Sequence, residues 1–174
     1  MHGRLAITFT EATPAEATLI AALRAGVATD LTRRFGRGHW SSLPTERGVI
    51  YGMRHAKVII GRAGDRLLTV VRLATKKPWA IDPAYFTACR RPIYLTDMAV
   101  APEFQLQGLG RLVLEEACQV ARRWPADAIR LDAYEAEAGA GPFYAKCGFE
   151  ERGRVTYRKV PLVYYGRLLE PSTR

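Results

Sequence analysis

The segment Gln105-Leu106-Gln107-Gly108-Leu109-Gly110-Arg111 follows an apolar run, Ile93 to Val100, and opens an amphipathic one that continues to Arg123. Two glycines one residue apart deliver a helix start with little side chain in the way. The first N–H groups of a helix lack internal partners and sit at its positive dipole end, so this arrangement suits an anion, above all a phosphate. Two nucleotide motifs are excluded. Val113 stands where a Rossmann fingerprint needs its third glycine, and Gly110 is followed by Arg111-Leu112 where a Walker A loop needs Lys-Ser/Thr. The glycines would also serve a tight turn and nothing more. A second chemical residue is Asp97, an acid inside an apolar strand, which is costly without a partner or a task. Asp132, Glu135 and Glu137 are further acids, each open to a capping or ion-paired role. His2, His39 and His55 are widely separated, so no metal site is expected.

These residues need elements to position them. Leu5 to Phe9 predicts a first strand. Thr13-Pro14-Ala15-Glu16 has the form of a capping box, and Leu19, Ile20, Leu23, Val27 and Leu31 recur at helical spacing as a buried face. Gly36-Arg37-Gly38 ends that helix, and Leu43-Pro44-Thr45-Glu46 introduces a shorter one to about Met53. Lys57–Gly61 and Arg66–Ala74 are β-branched strands joined by a turn at 62–65. Residues 75–92 hold three prolines with Trp79, Tyr85 and Phe86, a long loop that is either functional or packed on the sheet.

In the next strand, strict alternation would put Ile93, Leu95, Asp97 and Ala99 on one face. The following helix would bury Leu109, Leu112, Val113, Val120 and Trp124. Ile129, Leu131 and Ala133 predict another strand, and 140–147 a short helix stopped by Gly148. Two strands close the chain, 149–154 and about 160–168, with Pro161 at a start, an edge or a bulge. Hairpins mixed with β-α-β crossovers imply an α/β fold. The expectation is one domain over residues 1–174, with a mixed sheet of about six to seven strands and about four helices.

Composition is that of an ordinary globular protein, 48% hydrophobic and 25% charged, with no apolar run long enough to span a membrane and no signal-peptide core. Cys89, Cys118 and Cys147 form no metal or redox motif, so reduced thiols and a cytoplasmic setting are expected. The net charge of +9 favours anionic partners, phosphorylated cofactors and nucleic acid among them. The basic residues are scattered in short pairs with no RNA-module array, so nucleic acid is not the favoured partner.

The strand, the 105–110 turn and the helix resemble motif A of the GNAT superfamily, the acetyl-CoA-dependent N-acetyltransferases, whose pattern is Gln/Arg-x-x-Gly-x-Gly/Ala. Phe143-Tyr144-Ala145-Lys146-Cys147-Gly148-Phe149 resembles the family's motif B ending, Tyr-x-x-x-Gly-Phe. The resemblance covers about residues 55 to 169. It implies a GNAT-like fold, acetyl-CoA as co-substrate and direct acetyl transfer to an amine of a small molecule or peptide. It further implies that backbone amides from Gln105 through Leu106, Gln107, Gly108, Leu109 and Gly110 to Arg111 cradle the pyrophosphate. On the same grounds Met98, Ala99 and Val100 pair with the pantetheine arm in a splay beside their strand, the Met98 N–H serves the oxyanion, and Tyr144 protonates the CoA thiolate.

Asp97 is then one candidate base, with Asp132, Glu135 and Glu137 near the expected cleft and a water chain as an alternative. One departure stands out. Ala138 occupies the position where the family often has an asparagine, in a run of small residues expected to be flexible. A basic surface disfavours polyamines and favours acceptors that carry carboxylates or phosphates. A homodimer is compatible with this reading. A non-catalytic CoA-binding sensor on the same fold and a nucleic-acid-binding protein are the competing readings.

Overall fold

The computed structural model describes residues 6–170. Seven strands form one sheet in the order β1-β2-β3-β4-β5-β7-β6: β1 Thr8–Glu11, β2 Ala56–Ala63, β3 Arg66–Ala74, β4 Pro92–Val100, β5 Ala128–Tyr134, β6 Glu150–Tyr157 and β7 Val160–Leu168. Every neighbouring pair is antiparallel except β4 and β5, the pair joined by a helical crossover. Four α-helices complete the fold among the described residues: α1 Ala17–Phe35, α2 Glu46–Met53, α3 Leu109–Arg123 and α4 Gly141–Lys146. The β and α elements come in the order that the sequence predicts. The first strand lies later than expected, at Thr8–Glu11, while Leu5 is outside the described residues.

The sheet is covered on both faces. On one, α3 and α4 bury Val113, Leu114, Ala117, Tyr144 and Phe149 against Ile93, Leu95, Ile129, Leu131 and Val163. On the other, α1 and α2 press Ala17, Ile20, Ala21 and Val49 onto Val58, Ile60, Val70 and Ala99. Each large apolar side chain among these, fully buried, contributes roughly 1.5–3 kcal/mol. Two predicted core residues lie outside: Leu19 is 50% and Leu112 36% exposed. Apolar spacing marks a wider stripe than the sheet covers, and alanines at 17, 21, 117 and 121 make the close contacts in their place.

Local signals act as anticipated. The Glu16 carboxylate accepts from the Thr13 backbone N–H at 2.6 Å, and Thr45 Oγ1 accepts from Gly48 N–H at 3.1 Å. The 75–92 loop is packed, with Ile81 and Phe86 buried against Tyr94 and Tyr164 on the side of the sheet away from α3. Pro161 is the second residue of β7, which lies between β5 and β6, so the strand-start reading holds and the edge reading does not.

β4 departs from plain alternation. Thr96 pairs with Arg72 and Ala99 with Val70, so Asp97 and Met98 together oppose Val71 in a bulge, with Asp97 at φ 53. Beyond it the faces exchange. Ile93, Leu95 and Met98 face α3, whereas Asp97 and Ala99 face α1. The expected grouping of Asp97 and Ala99 with Ile93 and Leu95 is therefore corrected: one extra residue inverts a period of two.

Candidate acetyl-CoA site and acceptor cleft

β4 and β5 pair only from Pro92↔Ala128 to Tyr94↔Arg130, although β4 runs on to Val100 and β5 to Tyr134. The strands splay beyond that point, leaving the β5-facing side of Met98, Ala99 and Val100 without a ladder partner. α3 starts at the mouth of this splay. Leu106 (φ 59) and Gly108 (φ 84) both adopt left-handed backbone, which turns successive N–H groups toward one side. Among the described residues, no backbone N–H from Leu106 to Arg111 donates to another backbone group; the first to do so is Leu112, to the Gly108 carbonyl at 3.2 Å. Gln105 differs from its neighbours. Its N–H bonds the Pro102 carbonyl at 3.3 Å and its Nε2 donates to the Val100 carbonyl at 3.1 Å, so this residue fastens the turn to the end of β4.

The two glycines have separate reasons. Gly108 needs its left-handed φ, and a Cβ there would meet nothing within 4 Å. Gly110 allows close packing, since a Cβ there would lie 3.1 Å from the Phe143 ring. That contact ties the helix start to α4 and so to Tyr144. The Tyr144 side chain is 7% exposed and rests among Phe143, Phe149 and Tyr165. Its hydroxyl donates to Met98 Sδ at 3.7 Å, which places the phenol against β4 beside the splay. Burial first, then the nearby Asp132 charge, pushes the Tyr144 phenol far above its ordinary range, so it stays protonated.

The loop from β5 to α4 is tightly built, contrary to the flexible run expected there. A Cβ on Gly139 would collide with the Tyr134 carbonyl, one on Gly141 would come within 2.6 Å of the Tyr165 hydroxyl, and Gly139 N–H bonds the Ala136 carbonyl at 2.8 Å. The small residues are there because neighbours approach closely.

The opposite face of the splay carries the acids. Asp97 is held by two guanidiniums, Arg24 Nη2 to Oδ1 at 2.7 Å and Arg72 Nε to Oδ2 at 2.9 Å. Asp132 is different: among the described residues it has no hydrogen-bond or ion-pair partner, and burial raises its carboxyl above the ordinary range. Tyr134 follows two residues on, on the same face of β5, and burial, then the Asp132 and Asp97 charges, raise its phenol above the ordinary range. The connection between α1 and α2 closes over it, with the His39 ring stacked on Tyr134 at 6.3 Å, Trp40 edge-on at 6.1 Å, and the Tyr134 hydroxyl donating to the His39 carbonyl at 3.3 Å.

Glu135 is spent on Arg154, at 2.5 Å, and Glu137 is exposed. His55 is exposed, and His2 lies outside the described residues. No group of three or more His, Cys, Asp or Glu side chains among the described residues could hold a metal. Sequence reasoning did not single out Arg24, Arg72 or Tyr134. A charge within the apolar strand β3 was the available signal for Arg72.

This arrangement joins a free amide cradle, a splayed strand pair and a buried tyrosine. A sequence profile of the acetyltransferase (GNAT) family matches residues 27–149. The chain belongs to that family: it is an acyltransferase, and acetyl-CoA is its co-substrate. No curated protein matches it by sequence. Solved structures share the fold at low identity. A GNAT-family acetyltransferase of Streptococcus agalactiae superposes with a TM-score of 0.76 at 17% identity, covering 94% of this chain and 96% of that one. A ribosomal-protein-alanine N-acetyltransferase of Brucella melitensis gives 0.71 at 16%, over 93% and 99%. The yncA protein of Salmonella typhimurium, solved with acetyl-CoA, gives 0.68 at 16%, over 97% of each. No helix among the described residues is long and apolar enough to cross a membrane.

Proposed function

We propose that the chain is an N-acetyltransferase that moves an acetyl group from acetyl-CoA to an amine of a small molecule or peptide. The observation that carries this reading is the set of unpartnered N–H groups from Leu106 to Arg111 at the mouth of the splay, one ring away from the Tyr144 phenol. Bound acetyl-CoA supplies the acyl thioester: a C–N bond forms to the amine, the C–S bond breaks, one amine proton passes to Asp132 and on to solvent, and the sulfur takes up a proton from Tyr144, which solvent then restores.

The residues divide this work. The 106–111 amides and the positive end of α3 hold the pyrophosphate, with Gln105 keeping the turn in place. The open sides of Met98, Ala99 and Val100 receive the pantetheine as an added strand. Met98 lies in the bulge at the edge of the splay, and to its N–H we assign the oxyanion. Tyr144 donates its proton to the thiolate. Met98 Sδ is a weak acceptor, and a thiolate is a much stronger one.

We assign the proton acceptor on the amine side to Asp132 in preference to Asp97. Asp97 is already neutralised by two arginines, while Asp132 is unpaired and its raised carboxyl is a better base for an ammonium. The three unpaired cysteines fit the reducing cytosol in which we place the protein. Thiol release from acetyl-CoA across a panel of amines is the test. Tight acetyl-CoA binding by calorimetry with no amine-dependent thiol release would leave a CoA-binding sensor as the correct description.

A further inference from the structure

The cleft on the α1 face has an uneven charge pattern. Two guanidiniums share one carboxylate at Asp97, so this cluster carries one positive charge in excess. A guanidinium has five N–H donors. Arg24 spends only Nη2, on Asp97, and Arg72 spends its Nε hydrogen on Thr96 Oγ1 at 2.9 Å while lying against Asp97 as an ion pair. Among the described residues, their other N–H groups have no protein partner. They border a small hollow of about 20 Å³, room for one water-sized group, walled by Ile20, Val49, Val58 and Val70.

α2 is built to leave that hollow open. It carries Gly48 and Gly52, one turn apart, and both line the hollow. Glycine inside a helix costs about 1 kcal/mol relative to alanine, so two in eight residues call for a reason. A Cβ on Gly52 would lie 3.0 Å from Arg72 Nη1. Bare backbone therefore faces the guanidinium where a side chain would crowd it. Across the splay, two residues beyond the last β4–β5 pair at Tyr94↔Arg130, stands the opposite charge, the unpaired carboxylate of Asp132, and the aromatic wall of Tyr134, His39 and Trp40 follows it. One end of the cleft wants an anion and the other wants a cation.

Building on the acetyltransferase reading, we propose that the acceptor is an amine that also carries a carboxylate, a free amino acid or a close analogue, with its carboxylate on Arg24 and Arg72 and its amine toward Asp132. Planar, forked guanidiniums match a carboxylate in geometry as well as charge. Asp97 is the positioning residue that holds the two forks in register. A polyamine is disfavoured, because its second ammonium would meet the two arginines.

The test compares free amino acids with their methyl amides as acceptors, by thiol release from acetyl-CoA. For at least one amino acid, kcat/KM is expected to exceed that of its methyl amide by about tenfold to a hundredfold, the range of a lost charge-assisted contact. In Arg24→Gln and in Arg72→Gln that preference should collapse toward one, mostly through KM for the free acid. Arg24→Lys should retain part of it. Equal or better turnover of the amides by the wild type, or an unchanged preference in both glutamine variants, overturns the carboxylate subsite and leaves the acetyltransferase reading standing. If calorimetry shows acetyl-CoA bound and no amine of either kind releases thiol, the underlying reading fails and the subsite fails with it.

Discussion

Replacing Tyr144 with phenylalanine removes one oxygen and leaves the ring among Phe143, Phe149 and Tyr165, at centroid distances of 5.4, 5.8 and 6.2 Å. The lost hydrogen bond runs to a thioether at 3.7 Å, so folding should weaken by less than about 1 kcal/mol. The cost to chemistry is larger. A positioned proton donor contributes about 10²–10⁴-fold, or roughly 2.7–5.4 kcal/mol of barrier. Tyr144→Phe should therefore lower kcat at least about a hundredfold, while the calorimetric Kd for acetyl-CoA, set by the 106–111 amides, stays within about threefold. The pH profile adds a second check. Burial keeps the phenol protonated, so Tyr144 should produce no basic limb in kcat. A kcat within about threefold of wild type would remove Tyr144 from the mechanism. A basic limb that vanishes in the variant would refute the account of its burial.

Asp132→Asn should lower kcat/KM and abolish its acidic limb. A base must be ionised, so wild-type activity should fall as pH drops through the raised Asp132 value, above the ordinary aspartate range. The same shift has a stability sign. The folded carboxyl holds its proton to higher pH than the unfolded one, so the ionised group destabilises the fold at neutral pH and Asp132→Asn should raise Tm there. A lowered Tm would mean that Asp132 has a partner. Gly108→Val forces a β-branched residue to φ 84 with no steric collision, so acetyl-CoA affinity should drop at least tenfold while the circular dichroism spectrum persists; retained affinity would exclude the amide cradle. Asp97→Asn leaves Arg24 and Arg72 facing each other across a neutral amide, and urea unfolding should show a loss of about 1–2 kcal/mol. No measurable loss would reduce the cluster to an ordinary surface pair.

Much of the donor side was legible because it depends on local chemistry. Glu16 closes the capping box where its spacing says, the second helix starts within the 43–46 run, Gly36 and Gly148 stop helices at positive φ, and the 105–110 turn meets the start of α3. The acceptor side was not legible. Arg24, Asp97 and Arg72 come from α1, β4 and β3, and no local pattern records that they meet. The bulge at Asp97 is equally hidden. One extra residue leaves the apolar composition of the strand unchanged, yet it exchanges the faces of Met98, Ala99 and Val100.

The sequence by itself determined the element order, the glycine turn and the family, because each rests on short-range spacing: period two, period 3.6, and glycines where the backbone must turn or be approached. Only the tertiary structure decided which acid is free. Asp97 and Asp132 are alike in the sequence, both aspartates inside apolar strands. Folding brings two guanidiniums to the first and none to the second, and a carboxylate's basicity depends on what surrounds it in space. The splay between β4 and β5 was decided in the same way, since where two strands part depends on the helices and loops packed on both of their faces.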